Sequence, residues 1–165
     1  MNRIHSFSPI IDENSEILIL GSVPGVKSLQ MKQYYAHPQN QFWQIMFHLF
    51  DEEFSQDYET RLSLLEKNKI ALWDVIESCE RKGSKDTNIK TEIDNNILEL
   101  IENHQNIKII FCNGQKSHKN LMKILGKNFR LPIVVLPSTS PLHTIDFEEK
   151  LNRWKEIRNF GLYNF

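Results

Sequence analysis

Ile17-Leu18-Ile19-Leu20-Gly21-Ser22-Val23-Pro24-Gly25 is an unbroken apolar run closed by a glycine and proline turn. Four aliphatic residues in a row, without polar alternation, fit a strand buried on both faces, the condition of a parallel sheet. Three more runs of the same kind follow, and the four strands are expected over residues 16–20, 69–73, 107–112 and 132–136. Between them the apolar period lengthens to that of helices. Phe42, Ile45, Met46, Leu49 and Phe50 recur at helical spacing, as do Tyr58, Leu62 and Leu65. Ile93, Ile97, Leu100 and Ile101 predict a third helical face, and Leu121, Met122 and Leu125 a fourth that Gly126 stops. A last helix is predicted after Asp146, with Glu149 completing a capping box and Phe147, Leu151 and Trp154 as its buried stripe. Right-handed crossovers place such helices on both faces of the sheet. The expected fold is α/β, a three-layer α/β/α arrangement on a central four-stranded parallel sheet, with residues 1–165 forming one domain.

The bulk numbers set outer limits. At 165 residues, with 40% hydrophobic and 25% charged, the chain reads as an ordinary globular domain. No apolar run approaches the roughly 20 residues of a membrane span, and the N-terminus lacks a signal-peptide core, so a cytoplasmic protein is expected. Cys79 and Cys112 are the two cysteines, and the six histidines show no metal-binding pairing. Neither a metal or iron-sulfur cluster nor another cofactor is expected. A net charge of −1 argues against tight nonspecific binding to nucleic acid. The charge is uneven, however: Arg81, Lys82, Lys85 and Lys90 cluster in one stretch, Lys116, Lys119, Lys123, Lys127 and Arg130 in another. Either stretch reads as a solvated surface or as part of a basic face.

In an open α/β sheet the loops after the strands' carboxyl ends line the ligand crevice. The first of these is Gly21-Ser22-Val23-Pro24-Gly25, whose glycines permit a tight turn and close approach of a ligand. Tyr34-Tyr35-Ala36-His37-Pro38-Gln39-Asn40 comes next. Asn40 stands where a helix N-cap would stand, and the same primary amide can orient a water molecule. Tyr35 is either a core aromatic or a face on which a base stacks, with His37 as a polar edge. Asp74, closing the second strand, is either a turn cap or a polar group in the crevice. After the last strand, Ser138-Thr139-Ser140-Pro141-Leu142-His143 supplies hydroxyls and backbone N–H groups suited to phosphate, and an apolar side chain suited to a base stack.

GSVPG, YYAHPQNQFW, ALWDV with SCERKGSKD, FCNG and LPSTSP, in this order and spacing, resemble the uracil-DNA glycosylase superfamily. The resemblance is to its hypoxanthine (deoxyinosine) DNA glycosylase branch, with the AHPxNxFW portion shared by the mismatch-specific uracil glycosylases. It runs from about Ile11 to Phe160. It implies a fold like that of the uracil-DNA glycosylases and a DNA partner carrying deaminated bases, one of which is flipped into a pocket. By matching position, Asn40 is similar to the catalytic asparagine of the branch, Tyr35 to the ring stacked on the base, and Asn113 to a functional polar group after the third strand. Residues 138–141 resemble the DNA-gripping loop. Lys27, Lys32 and Lys116 are expected to meet phosphates.

Two departures shape the expected chemistry. Uracil-specific families carry Asp or Asn in the turn where this chain has Val23, and His or Asn where Ser138 stands. With no activating side chain in the turn, the expectation moves to Asn40, and from uracil towards hypoxanthine. The branch continues STSP with Ala-Asn, whereas Leu142 and His143 follow here. No lysine in these motifs suggests a Schiff-base nucleophile, so monofunctional hydrolysis is expected, by a monomer in base excision repair. Competing readings are a non-catalytic module for damaged or single-stranded DNA, and a small nucleotide-binding enzyme using GSVPG as a phosphate loop. The latter lacks both standard glycine-rich phosphate motifs.

Overall fold

A computed structural model describes residues 3–163. In chain order the strands are β1 (Arg3–His5), β2 (Ile17–Gly21), β3 (Ile70–Asp74), β4 (Ile76–Glu80), β5 (Lys90–Asp94), β6 (Ile109–Asn113) and β7 (Ile133–Leu136). The helices are α1 (Val26–Met31), α2 (Phe42–Leu49), α3 (Tyr58–Lys67), α4 (Ile97–Glu102), α5 (Gln115–Leu125) and α6 (Phe147–Tyr163). Four strands, β3-β2-β6-β7, form an all-parallel sheet, as the apolar runs predict.

Successive side chains of a strand point to opposite faces, and this splits the core in two. Ile17, Ile19, Ile70, Leu72, Ile109 and Phe111 pack on one face with Phe42, Trp43, Leu65 and Trp154 from α2, α3 and α6. Leu18, Leu20, Ala71, Ile110 and Cys112 pack on the other with Ile97, Ile101 and Leu121 from α4 and α5. The result is the three-layer arrangement expected. Each predicted strand is present, with its observed carboxyl end one residue later in three cases. Those three added residues are Gly21, Asp74 and Asn113. The sheet therefore fixes the backbone of three site residues.

One part of the sequence reading is corrected. Ile93 belongs to β5, not to the helix, and its side chain is 52% exposed. Asn96 Oδ1 accepts the Glu99 N–H at 3.1 Å and starts α4 only at Ile97. The spacing of Ile93 to Ile97 is one helical turn, but Asn95-Asn96 breaks the backbone between them. β5 pairs instead with β4, which pairs with β1, giving a second, antiparallel sheet that the sequence reading did not anticipate. The polypeptide passes from β3 to β4 through Val75 alone, whose N–H donates to the Gly21 carbonyl at 2.9 Å. This small sheet carries the 81–89 loop over the carboxyl edge of the large one. Cys79 and Cys112 are free and buried. No helix among the described residues is long and apolar enough to cross a membrane.

Candidate active site

A cavity of about 950 Å³ opens at the carboxyl edge of the parallel sheet. Ligand pockets span roughly 300–1,000 Å³, so a flipped nucleoside and its phosphates fit. Of the site residues anticipated from the sequence, the turn from Gly21 to Gly25, Lys27, Tyr35, His37, Asn40, Asp74, Asn113, Lys116 and the loop from Ser138 to His143 lie on its wall, whereas Lys32, expected to meet phosphate, does not. The structure adds residues 84–87 of the loop after β4, together with Ser28, Gln115, Glu149 and Arg153.

The YYAHPQN segment is held at both ends. Tyr34 is anchored by donating to the Ser8 carbonyl at 2.8 Å and by accepting from Trp43 Nε1 at 2.9 Å through its own carbonyl. Buried Ser28 accepts the Ala36 N–H at 3.1 Å. Between these anchors Tyr35 adopts φ +54°, a left-handed conformation that a bulky residue rarely takes and that strain studies associate with functional sites. Its ring stacks on Phe42 at 4.1 Å, which covers one face. The N-cap of α2 is Gln41, without a side-chain cap bond, and Asn40 stands one residue before it, where its Oδ1 accepts the Phe42 N–H at 3.0 Å. That bond uses one lone pair of the amide oxygen, which has two. His37 Nδ1 accepts the Gln39 N–H at 3.1 Å, leaving Nε2 as the donor.

Asn113 and the last loop form a closed unit. Asn113 Nδ2 donates to Thr139 Oγ1 and Asn113 Oδ1 accepts the Thr139 N–H, both at 3.0 Å. Thr139 is 1% exposed, and its carbonyl accepts the Gln41 N–H at 3.1 Å, tying this loop to the start of α2. Gly114 has φ +94°, and a Cβ there would stand 3.1 Å from that of Ser138, so glycine is needed on both counts. The far end is bolted by α6. Trp154 Nε1 donates to the Pro137 carbonyl at 2.9 Å, and Lys150 Nζ, on a residue 1% exposed, donates to the His143 carbonyl at 2.7 Å. Leu142 projects from this frame with 55% of its surface exposed.

The GSVPG turn is clamped by the 81–89 loop. Arg81 donates to the Gly83 carbonyl through Nε and to the Pro24 carbonyl at 2.8 Å, Ser22 Oγ donates to Asp86 at 2.8 Å, and Ser84 Oγ accepts the Val26 N–H at 3.0 Å. Sequence reasoning quoted RKGSKD as a motif yet assigned these residues no task. Their partners in the 22–26 segment lie 57 or more positions away, and only the turn chemistry of Gly83-Ser84 hinted at them. Val23 is 8% exposed and supplies no polar group. Lys116, read as a phosphate contact, has its ammonium 2.8 Å from Glu92, with Lys123 also near that carboxylate. Its ammonium is therefore already tied to a carboxylate of the protein.

At the floor of the cavity Asp74 is 4% exposed. Burial, and the nearby Asp86 carboxylate, push its carboxyl up to about 7 against the opposing pull of Arg81. Burial also raises the Tyr35 hydroxyl well above its ordinary value, with Asp74 adding to the effect, so the phenol stays protonated at neutral pH. No group of three or more His, Cys, Asp or Glu side chains among the described residues is placed to hold a metal ion.

Residues 8–159 match the family model of the uracil DNA glycosylase superfamily. The chain belongs to that superfamily. It is 38% identical over 153 residues to a hypoxanthine DNA glycosylase of Methanosarcina barkeri, a match covering 91% of this chain and 94% of that one. A hypoxanthine DNA glycosylase of Methanosarcina acetivorans is 35% identical over 153 residues, covering 92% and 95%. A solution NMR structure of a candidate uracil DNA glycosylase from Methanosarcina acetivorans superposes with a TM-score of 0.83 at 32% identity, covering 98% of this chain and 100% of that one.

Proposed function

We propose that this superfamily member is a monofunctional DNA glycosylase that extrudes deoxyinosine from DNA and hydrolyses its N-glycosidic bond. The observation that carries the reading is the convergence of Asn40, Tyr35, Asp74 and Asn113, drawn from three separate segments, on one cavity at the sheet edge. The names of the two curated relatives support hypoxanthine as the base. Uracil and xanthine share its amide-like edge and are secondary substrates to compare.

In this reading the free lone pair of Asn40 Oδ1 holds the water that attacks C1′, while the bond to the Phe42 N–H fixes the amide's plane. Asparagine is no strong base, so it orients rather than deprotonates, and the reaction follows a dissociative course with positive charge on the sugar. Backbone groups of Gly21 to Gly25 and the side chain of His37 border the departing base. Asn113 acts by locking Thr139, and the frame from Ser138 to His143 grips phosphates while Leu142 fills the space the base vacates. Extrusion costs a few kcal/mol, least for a poorly paired base such as hypoxanthine. Of the cavity-wall lysines Lys27, Lys85 and Lys116, the last is paired to Glu92; the reaction in this reading uses none of them as a Schiff-base nucleophile, and borohydride should trap no covalent adduct. The protein works as a monomer in the cytoplasm, without metal or cofactor.

The test is single-turnover excision from duplex and single-stranded oligonucleotides carrying inosine, uracil or xanthine. Excision is expected to be fastest for inosine and to fall at least 100-fold in Asn40→Ala, the scale of a lost water-orienting group. Undiminished excision by that variant, or binding of inosine DNA without cleavage by the native protein, refutes the assignment.

A further inference from the structure

Two buried polar atoms on the cavity wall lack a hydrogen bond of normal geometry: Asp74 Oδ2 and the Tyr35 hydroxyl, the latter with the Asn113 side chain close by. They flank the same point of the backbone. A Cβ on Gly21 would stand 2.7 Å from Asp74 Oδ1 and 3.0 Å from the Tyr35 hydroxyl, so glycine is what admits both groups to the cavity floor. Among the described residues no donor bonds Asp74 Oδ2, and Arg81 Nη1, buried and itself unpartnered, acts on the carboxyl as a charge and not as a hydrogen-bond donor. Asn95 Nδ2 donates to the Asp74 backbone carbonyl at 2.7 Å, not to the side chain, and Arg81 spends Nε and one terminal nitrogen on Gly83 and Pro24. A buried carboxylate without a donor is costly, whereas the neutral acid is itself a donor.

We propose that Asp74 is the general acid of the reaction, donating its proton from Oδ2 to a ring nitrogen of the extruded purine as C1′–N9 breaks. This rests on the glycosylase reading and adds to it the means of leaving-group departure. The bonding pair of C1′–N9 passes to the purine, the Asp74 proton passes to the purine ring, and the water oxygen bonds to C1′. The proton that water releases returns to the carboxylate through solvent, and the products are neutral hypoxanthine and an abasic sugar. This placement of the catalytic effort suits the chain. Val23 leaves the turn without an acid or amide to activate water, so the barrier falls mainly at the leaving group. It also gives a base preference: a glycosidically linked purine offers unprotonated N3 and N7, whereas the two ring nitrogens of uracil are both occupied.

Protonation of Asp74 near neutral pH agrees with its burial. The titratable and charged groups facing it are Tyr34 and Tyr35 from the 34–40 segment and Asp86 and Arg81 from the loop after β4, with His37 and Lys116 farther along the wall. Asp86, solvent-exposed in the fold, is shifted in the same direction, and its variant is the control for the same limb.

The experiment is single-turnover excision of inosine between pH 5 and pH 9 by the native protein, Asp74→Asn and Asp86→Asn. For the native protein the rate is expected to be level on the acid side and to fall about tenfold per pH unit above about 7. Asp74→Asn should lose about 100-fold at pH 6 and show no alkaline limb. Asp86→Asn should keep the limb but move it to lower pH. The same proteins are then given 7-deaza- and 3-deaza-deoxyinosine. For the analogue lacking the protonated nitrogen, the ratio of native to Asp74→Asn rates should collapse to one. An alkaline limb that persists in Asp74→Asn, or a ratio unchanged for both analogues, overturns the proposal. Absence of native excision at every pH refutes the glycosylase reading instead.

Discussion

Asp74→Asn is also a stability experiment, because a carboxyl pushed from 3.8 to about 7 by folding makes the native state bind a proton that the unfolded chain has released. Stability from this group is fully present below pH 3.8 and is lost as pH rises to about 7, since in that window the folded protein holds more protons than the unfolded one. At 1.36 kcal/mol per pH unit, the loss amounts to about 4 kcal/mol. That is a large share of the 5–15 kcal/mol typical of a domain. Asparagine has nearly the same shape and no charge to bury. Any cost of an unpartnered amide is constant with pH, so the slope is the observable. Urea denaturation at intervals from pH 4.5 to pH 8.5 should show the variant gaining on the native protein by about 1.4 kcal/mol per unit up to about pH 7, then running parallel. A difference that stays constant across the range would show that the carboxyl is not held protonated by the fold. The general-acid assignment would lose its physical basis with it.

Gly21→Ala should depress excision far more than it lowers the melting temperature, because the methyl meets Asp74 Oδ1 and the Tyr35 hydroxyl and must displace the cavity floor; parallel kinetics and thermal melts check this. Asn113→Ala removes both bonds to Thr139 and leaves the buried threonine N–H unpaired, a cost of about 1–3 kcal/mol by denaturant titration, with excision falling as the last loop loosens. Leu142→Ala, at an exposed position, should leave the melting temperature within experimental scatter while weakening binding to inosine duplex more than to the same single strand. Lys150→Met keeps the aliphatic stem in α6 but frees the His143 carbonyl, and is expected to raise the DNA concentration needed for half-maximal single-turnover rate.

The large sheet was legible because its strands are buried on both faces and their apolar runs have no other use. The small sheet was not. Lys90-Thr91-Glu92-Ile93-Asp94 is nearly all exposed and carries one aliphatic residue, whose spacing to Ile97 imitates a helical turn until Asn96 is seen capping Glu99. Much of the site was readable for a related reason, since a polar residue ending a buried strand, as Asp74 and Asn113 do, has few structural uses. What those residues touch was beyond reach. Nothing in the chain announces that Arg81 will hold the Pro24 carbonyl, that Glu92 will claim the Lys116 ammonium, or that Asp74 Oδ2 will be given no donor.

The ties among the loops have a consequence for how the enzyme meets DNA. Arg81 to Pro24, Gln41 to Thr139, Asn113 to Thr139 and Lys150 to His143 join segments from every part of the chain into one braced rim. A rim braced in this way is a finished mould before any DNA arrives. The moving part of the encounter is then expected to be the nucleotide, so excision should quicken as the pairing of the target base weakens.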